Sequence, residues 1–175
     1  MEQPKTATTP KATEPKTYPV LQSANPTALA LYCGDPRFQE AIEQFLEEEL
    51  GLKKGQYVPL VPPGGAASLS EQLKRSLPKE FKFLSEAVQF YLKQFESISE
   101  VVVINHEDCR KYQALQKSLG SIFLRISEAM TDLQRQDLAE MLQTILGLTS
   151  RNVGVSRYYA KFSNPEKTQI IFEKQ

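Results

Sequence analysis

Four β-branched residues in succession, Val101, Val102, Val103 and Ile104, constrain this chain more than any other stretch. A short apolar run with no polar residue to turn outward suits a strand covered on both faces. It stops abruptly at Asn105-His106-Glu107-Asp108-Cys109, which holds the chain's one histidine and one of its two cysteines. The other cysteine, Cys33, ends a second apolar run, Ala28-Leu29-Ala30-Leu31-Tyr32, and Asp35 and Arg37 follow it. Every thiol and imidazole therefore sits at the end of one of two expected strands. That concentration asks for a metal.

The intervening pattern alternates. After Pro36, residues Phe38, Ala41, Ile42, Phe45, Leu46 and Leu50 mark one face at helical spacing, and Gly51 and Gly55 close that helix. Gln56 to Val61 reads as a second strand, placed at a sheet edge by Pro59 and closed by Pro62-Pro63-Gly64-Gly65. Leu84, Ala87, Val88, Tyr91, Leu92 and Phe95 predict another helix ahead of Val101, and Tyr112, Leu115 and Leu119 a short one stopping near Gly120. Thr131-Asp132-Leu133-Gln134 has the form of a capping box, opening a helix faced by Leu138, Met141, Leu142 and Ile145 that ends at Gly147. Val153 to Lys161 and Thr168 to Phe172 read as two final strands joined across Ser163-Asn164-Pro165.

Such alternation predicts an α/β fold, a mainly parallel sheet with flanking helices and a C-terminal antiparallel hairpin. If Cys33 and the His106/Cys109 pair meet on one ion, strands one and three are neighbours. The resulting 2-1-3-4 order has a switch point between them, where ligands bind at the carboxyl ends of strands.

Residues 1–27 read differently. Pro4, Pro10, Pro15, Pro19 and Pro26 alternate with threonines and lysines and carry almost no large apolar side chain. The segment is expected to be a disordered leader, with 28–175 forming a single α/β domain. Lys plus Arg and Asp plus Glu each number 21, so no net charge draws the chain to nucleic acid or to an anionic membrane. No apolar run reaches the length of a membrane span, no secretory signal opens the chain, and two cysteines are too few for a disulfide scaffold. A cytoplasmic protein is expected.

Two thiolates and an imidazole suit zinc. Cys33, His106 and Cys109 would leave a fourth tetrahedral position for water, the pattern of a catalytic site. Zinc lowers the pKa of such a water to about 7. Asp35 is placed to accept its hydrogen bond, and Arg37 to hold Asp35 ionised by a bidentate contact. Against this stand a satisfied histidine with two buried thiols, and a Cys33–Cys109 disulfide, which would leave His106, Asp35 and Arg37 unexplained. Glu107 and Asp108 read as solvated loop residues.

Cys33-x-Asp35-x-Arg37 followed by His106-x-x-Cys109 is similar to the paired motif of the β-class carbonic anhydrases. The likeness extends to the Gly64-Gly65 pair, the helix before the second motif and the closing hairpin, and it resembles a short, divergent branch of that family. It implies zinc held by Cys33, His106 and Cys109, with Asp35 and Arg37 as the catalytic dyad at the fourth position. It also implies reversible hydration of carbon dioxide to bicarbonate by zinc-bound hydroxide, in a homodimer or higher homo-oligomer. The same hydroxide could attack a sulfur analogue such as carbonyl sulfide. One departure is Arg110, where the family usually has glycine. A left-handed backbone there would cost a side chain about 1–2 kcal/mol. If Arg110 closes the pocket, the alternative is a non-catalytic zinc-binding oligomer, or an anion-binding pseudo-enzyme of the same fold.

Overall fold

The computed structural model describes residues 16–21, 24–118 and 130–175. The run Val101–Ile104 lies within β3 (Glu100–His106), the middle strand of a five-stranded sheet. On one side stand β1 (Ala28–Tyr32) and then β2 (Tyr57–Leu60); on the other stand β4 (Gly154–Phe162) and then β5 (Ile170–Lys174). β1 pairs in parallel with β2 and β3, β3 in parallel with β4, and β5 antiparallel with β4. This is the expected 2-1-3-4 order with the hairpin strand added outside, and Pro59 lies on the edge strand β2. The last strand begins two residues late. Asn164 Oδ1 accepts from the amides of Thr168 and Gln169 at 3.0 and 3.1 Å, which keeps both residues in the turn.

Strand alternation divides the core into two layers. Leu29, Leu31, Val101 and Val103 pack on one face with Leu84, Val88 and Leu92 of α3 (Pro78–Gln94) and Leu138, Met141 and Ile145 of α5 (Met130–Gly147). Ala30, Tyr32, Val102 and Ile104 pack on the other with Phe38 and with Ile42 and Leu46 of α1 (Gln39–Glu48). Both faces of β3 are covered, as its sequence requires.

Some expectations need correction. A 3-10 turn (Gly65–Leu69) and α2 (Glu71–Ser76) follow the glycine pair, where no element was expected. The short helix α4 spans Arg110–Ser118; Leu119 and Gly120, and the side chain of Thr131, lie outside the described residues. Gln134 does not complete a capping box: it is fully buried, and its Oε1 accepts from the Tyr159 hydroxyl at 2.8 Å. Of the expected leader, residues 1–15, 22 and 23 lie outside the described set, and 16–21 are exposed without regular structure. No helix among the described residues is long and apolar enough to cross a membrane.

Candidate metal centre

Because β1 and β3 are parallel neighbours in register, with Tyr32 opposite Ile104, their C-terminal ends open onto the same sheet edge. Cys33 leaves β1, His106 closes β3, and Cys109 precedes α4. One ligand atom from each lies within 4.8 Å of the other two. All three residues are buried. The sulfurs stand 3.9 Å apart as free thiols, far beyond the roughly 2.05 Å of a disulfide.

His106 is aimed by its backbone neighbour. Its Nδ1 lies 2.8 Å from the Glu107 carbonyl, which can only accept, so Nδ1 carries the proton and Nε2 keeps its lone pair. Nε2 is buried with no hydrogen-bond partner. Phe38 fixes the ring plane, with centroids 4.2 Å apart. An orphaned buried nitrogen on a histidine clustered with two thiols is what a metal would satisfy. The sulfur spacing also agrees with a tetrahedral zinc edge, about 3.8 Å for Zn–S bonds near 2.3 Å. Residues and ion fit.

The thiols are polarised towards anionic form at Cys33. Hydrogen bonding from Cys109 pulls its pKa down most, helped by His106 and by the Gly64 amide, which donates to Cys33 Sγ at 3.2 Å; the result is about 4. Cys109 moves up, as the partner holding the shared proton and as a buried group. Gly64 and Gly65 both take positive φ, 84° and 59°. A Cβ on Gly65 would stand 3.1 Å from the Cys33 nitrogen, so the loop needs glycine to close over the cysteine.

Asp35 and Arg37 form the expected pair. Arg37 donates from Nη2 to Oδ2 at 2.7 Å, and from Nε and its own amide to Oδ1, both at 3.1 Å. These bonds hold the Asp35 carboxyl down at about 2. Asp108 and Glu107 stand in a half-exposed turn, as expected of loop residues, but both are also bonded into the fold. Asp108 accepts from Arg37 Nη1 at 3.1 Å, and Glu107 Oε2 accepts from the Phe162 amide at 2.9 Å, tying the turn to β4. The strained backbone is also displaced from Arg110, the opening residue of α4, to Asp108, whose φ is 57°. Arg110 is exposed and lines a cavity of ≈ 410 Å³ with Cys33, Asp35, Pro36, Val61 and Lys111.

Behind the cysteines lies a buried polar chain that the sequence did not reveal. Asn105 Nδ2 donates to the Tyr112 hydroxyl at 3.2 Å, and that hydroxyl donates to Asp137 Oδ2 at 2.8 Å. Burial pushes the Asp137 carboxyl up to about 7, against the smaller opposing effect of the Tyr112 hydrogen bond. The only signal in the sequence was a carboxylate beside Leu138 on an otherwise apolar helix face.

No protein-family model matches the chain, and no curated protein matches it by sequence. Solved structures do match. The β-carbonic anhydrase CafA of Aspergillus fumigatus superposes with a TM-score of 0.51 at 14% identity, covering 87% of this chain and 76% of that one. β-Carbonic anhydrase isoform I of Trichomonas vaginalis gives 0.52 at 13% identity, covering 90% and 87%. The carbonic anhydrase of Streptococcus mutans gives 0.50 at 17% identity, again over 90% and 87%. At such identities the likeness is one of architecture, and the chain has the fold of the β-carbonic anhydrases.

Proposed function

We propose that residues 28–175 form a zinc-binding domain that hydrates carbon dioxide reversibly to bicarbonate. One observation carries this reading: buried His106, whose Nε2 has no hydrogen-bond partner, brings a ring nitrogen within 4.8 Å of the thiols of Cys33 and Cys109. These three side chains would hold zinc through Sγ, Nε2 and Sγ. When bound, zinc supplies the Lewis acidity that makes a water nucleophilic near neutral pH.

The chain's own residues do the rest. Asp35 Oδ2 accepts one bond from Arg37 and retains a lone pair, with which it can accept from the reacting water and orient it. Arg37 keeps that carboxylate ionised. Val61, Pro36 and Pro63 give the cavity apolar walls suited to carbon dioxide, and Arg110 at its rim attracts the anionic product. The released proton leaves through water or buffer, since the chain has no second histidine. A sulfur analogue of carbon dioxide suits the same walls. The reading also carries a homodimer or higher homo-oligomer and a cytoplasmic setting; sedimentation of the zinc-loaded protein tests the first.

A second reading is a zinc-binding protein of this fold that binds an anion without turnover, favoured by Arg110 in the same cavity. Stopped-flow hydration on metal-quantified protein separates the two. Rates proportional to zinc content support the enzyme; fully loaded protein at the buffer rate supports the binder.

A further inference from the structure

Among the described residues, two non-glycine positions take positive φ, Asp108 at 57° and Lys167 at 55°. Their side chains meet: Lys167 Nζ lies 3.4 Å from Asp108 Oδ2. Asp tolerates the left-handed region better than most residues, so Asp108 could serve merely to turn the chain between β3 and α4. Its acceptors say otherwise. Gln113 Nε2 donates to Oδ1 at 2.5 Å, Arg37 Nη1 to Oδ2 at 3.1 Å, and Arg37 Nη2 to the Asp108 carbonyl at 3.0 Å.

The Arg37 guanidinium thus lies between two carboxylates that belong to the two arms of the site. Asp35 follows Cys33, and Asp108 immediately precedes Cys109. Four guanidinium hydrogen bonds divide equally, two to Asp35 and two to Asp108. Arg37 is 36% exposed, so Asp35 alone would leave it room to swing towards solvent.

We propose that Asp108 is a positioning residue: it clamps Arg37 from the far side, so that Arg37 presents Asp35 to the reacting water in one orientation. Through Lys167 the clamp reaches the β4–β5 hairpin, which ties the dyad to the far edge of the sheet. The activity part of this inference rests on the hydration reading above.

Asp108→Gly tests it, because glycine suits a φ of 57° and removes only the carboxylate. Asp108→Asn keeps an acceptor and a tolerance for the left-handed turn without the charge. In zinc-loaded protein, the glycine variant is expected to keep its melting temperature and zinc content. Its kcat for hydration should fall at least about tenfold with KM little changed, the asparagine variant lying between. The Arg37 Nε–H resonance in nitrogen-15 spectra should exchange with solvent about tenfold faster, again with asparagine between. Adding Asp108→Gly to Arg37→Ala should bring no further loss of rate, since the clamp acts through Arg37.

Parental rate and parental Arg37 exchange in the glycine variant would overturn the proposal and leave Asp108 a turn former. Independent, additive losses in the double variant would overturn it equally. Should the glycine variant lose fold or metal, the asparagine variant decides by the same two readouts. A parent without hydration activity would sink the functional reading instead, and Arg37 exchange would then decide the clamp alone.

Discussion

His106 can offer only one ring nitrogen to a ligand, because the Glu107 carbonyl takes the other. A site built on one imidazole and two thiols has no spare donor. Cys109→Ser is therefore expected to lower zinc affinity by more than about 100-fold, beyond the usual cost of disturbing residues that only support ligands. Metal analysis under reducing conditions should find close to one zinc per chain in the parent and almost none in the variant. Asp35→Asn should keep its zinc and lose hydration rate by about tenfold or more. It should also change the acid limb of stability. Arg37 holds the folded Asp35 at about 2, below its unfolded value near 3.9. The pair's contribution is then complete above pH ~4 and disappears as pH falls towards 2. Melting temperatures measured over that range should fall less steeply in the variant. These residues were legible because their types and spacings are chemically restrictive. Asp108 was not, since its φ, its bond to Arg37 and its contact with Lys167 join segments that are remote in sequence.

Elements set the spacing between such residues. The apolar runs at Leu29–Leu31 and Val101–Ile104 announced two covered strands, and their parallel pairing brought Cys33 beside His106 and Cys109. The segment between β2 and α3 was less readable. Gly65-Ala66-Ala67-Ser68-Leu69 is entirely buried, but its small residues show neither helical nor strand period. It begins directly after Gly64, whose amide donates to Cys33 Sγ. Gly65→Ala should disturb this stretch: a Cβ would stand 3.1 Å from the Cys33 nitrogen and 3.3 Å from the Tyr32 carbonyl carbon, at a φ of 59°. The left-handed backbone alone costs about 1–2 kcal/mol, and displacement of the loop adds to it. Denaturant titration should show a loss of at least that size, together with weaker zinc binding. An alanine variant with parental stability would mean that the loop relaxes without cost. Arg110 answers differently: as the exposed first residue of α4 it carries no backbone strain for glycine to relieve.

At the scale of the whole molecule, the sheet order followed from where the candidate ligands had to meet, but the ties between layers did not. Polar residues on amphipathic helices ordinarily face water, so Gln134 carried no mark of the interior and Asp137 only its place beside Leu138, while the spacing that put Tyr112 on an apolar face did not show what its hydroxyl would meet. Asp137 on α5 takes the Tyr112 hydroxyl from α4 and a hydrogen bond from Ser70, while Tyr112 accepts from Asn105 on β3. One carboxyl thus joins two helices, a loop and the central strand. It is 3% exposed, and burial raises its pKa from 3.8 to about 7. A carboxyl raised in the folded state is protonated in both states below the unfolded value near 3.9, and there costs nothing. As pH rises from about 4 to 7 the unfolded chain ionises while the folded one does not, and stability declines. The full difference corresponds to about 4 kcal/mol as an upper bound. Asp137→Asn retains an oxygen to accept from Tyr112 and removes the titration. The variant should match the parent at pH 4 and exceed it by roughly 2–4 kcal/mol at pH 7. Urea unfolding at several pH values would measure both ends. If the two proteins keep parallel stability curves across that interval, Asp137 ionises freely in the fold and the buried tie is open to water.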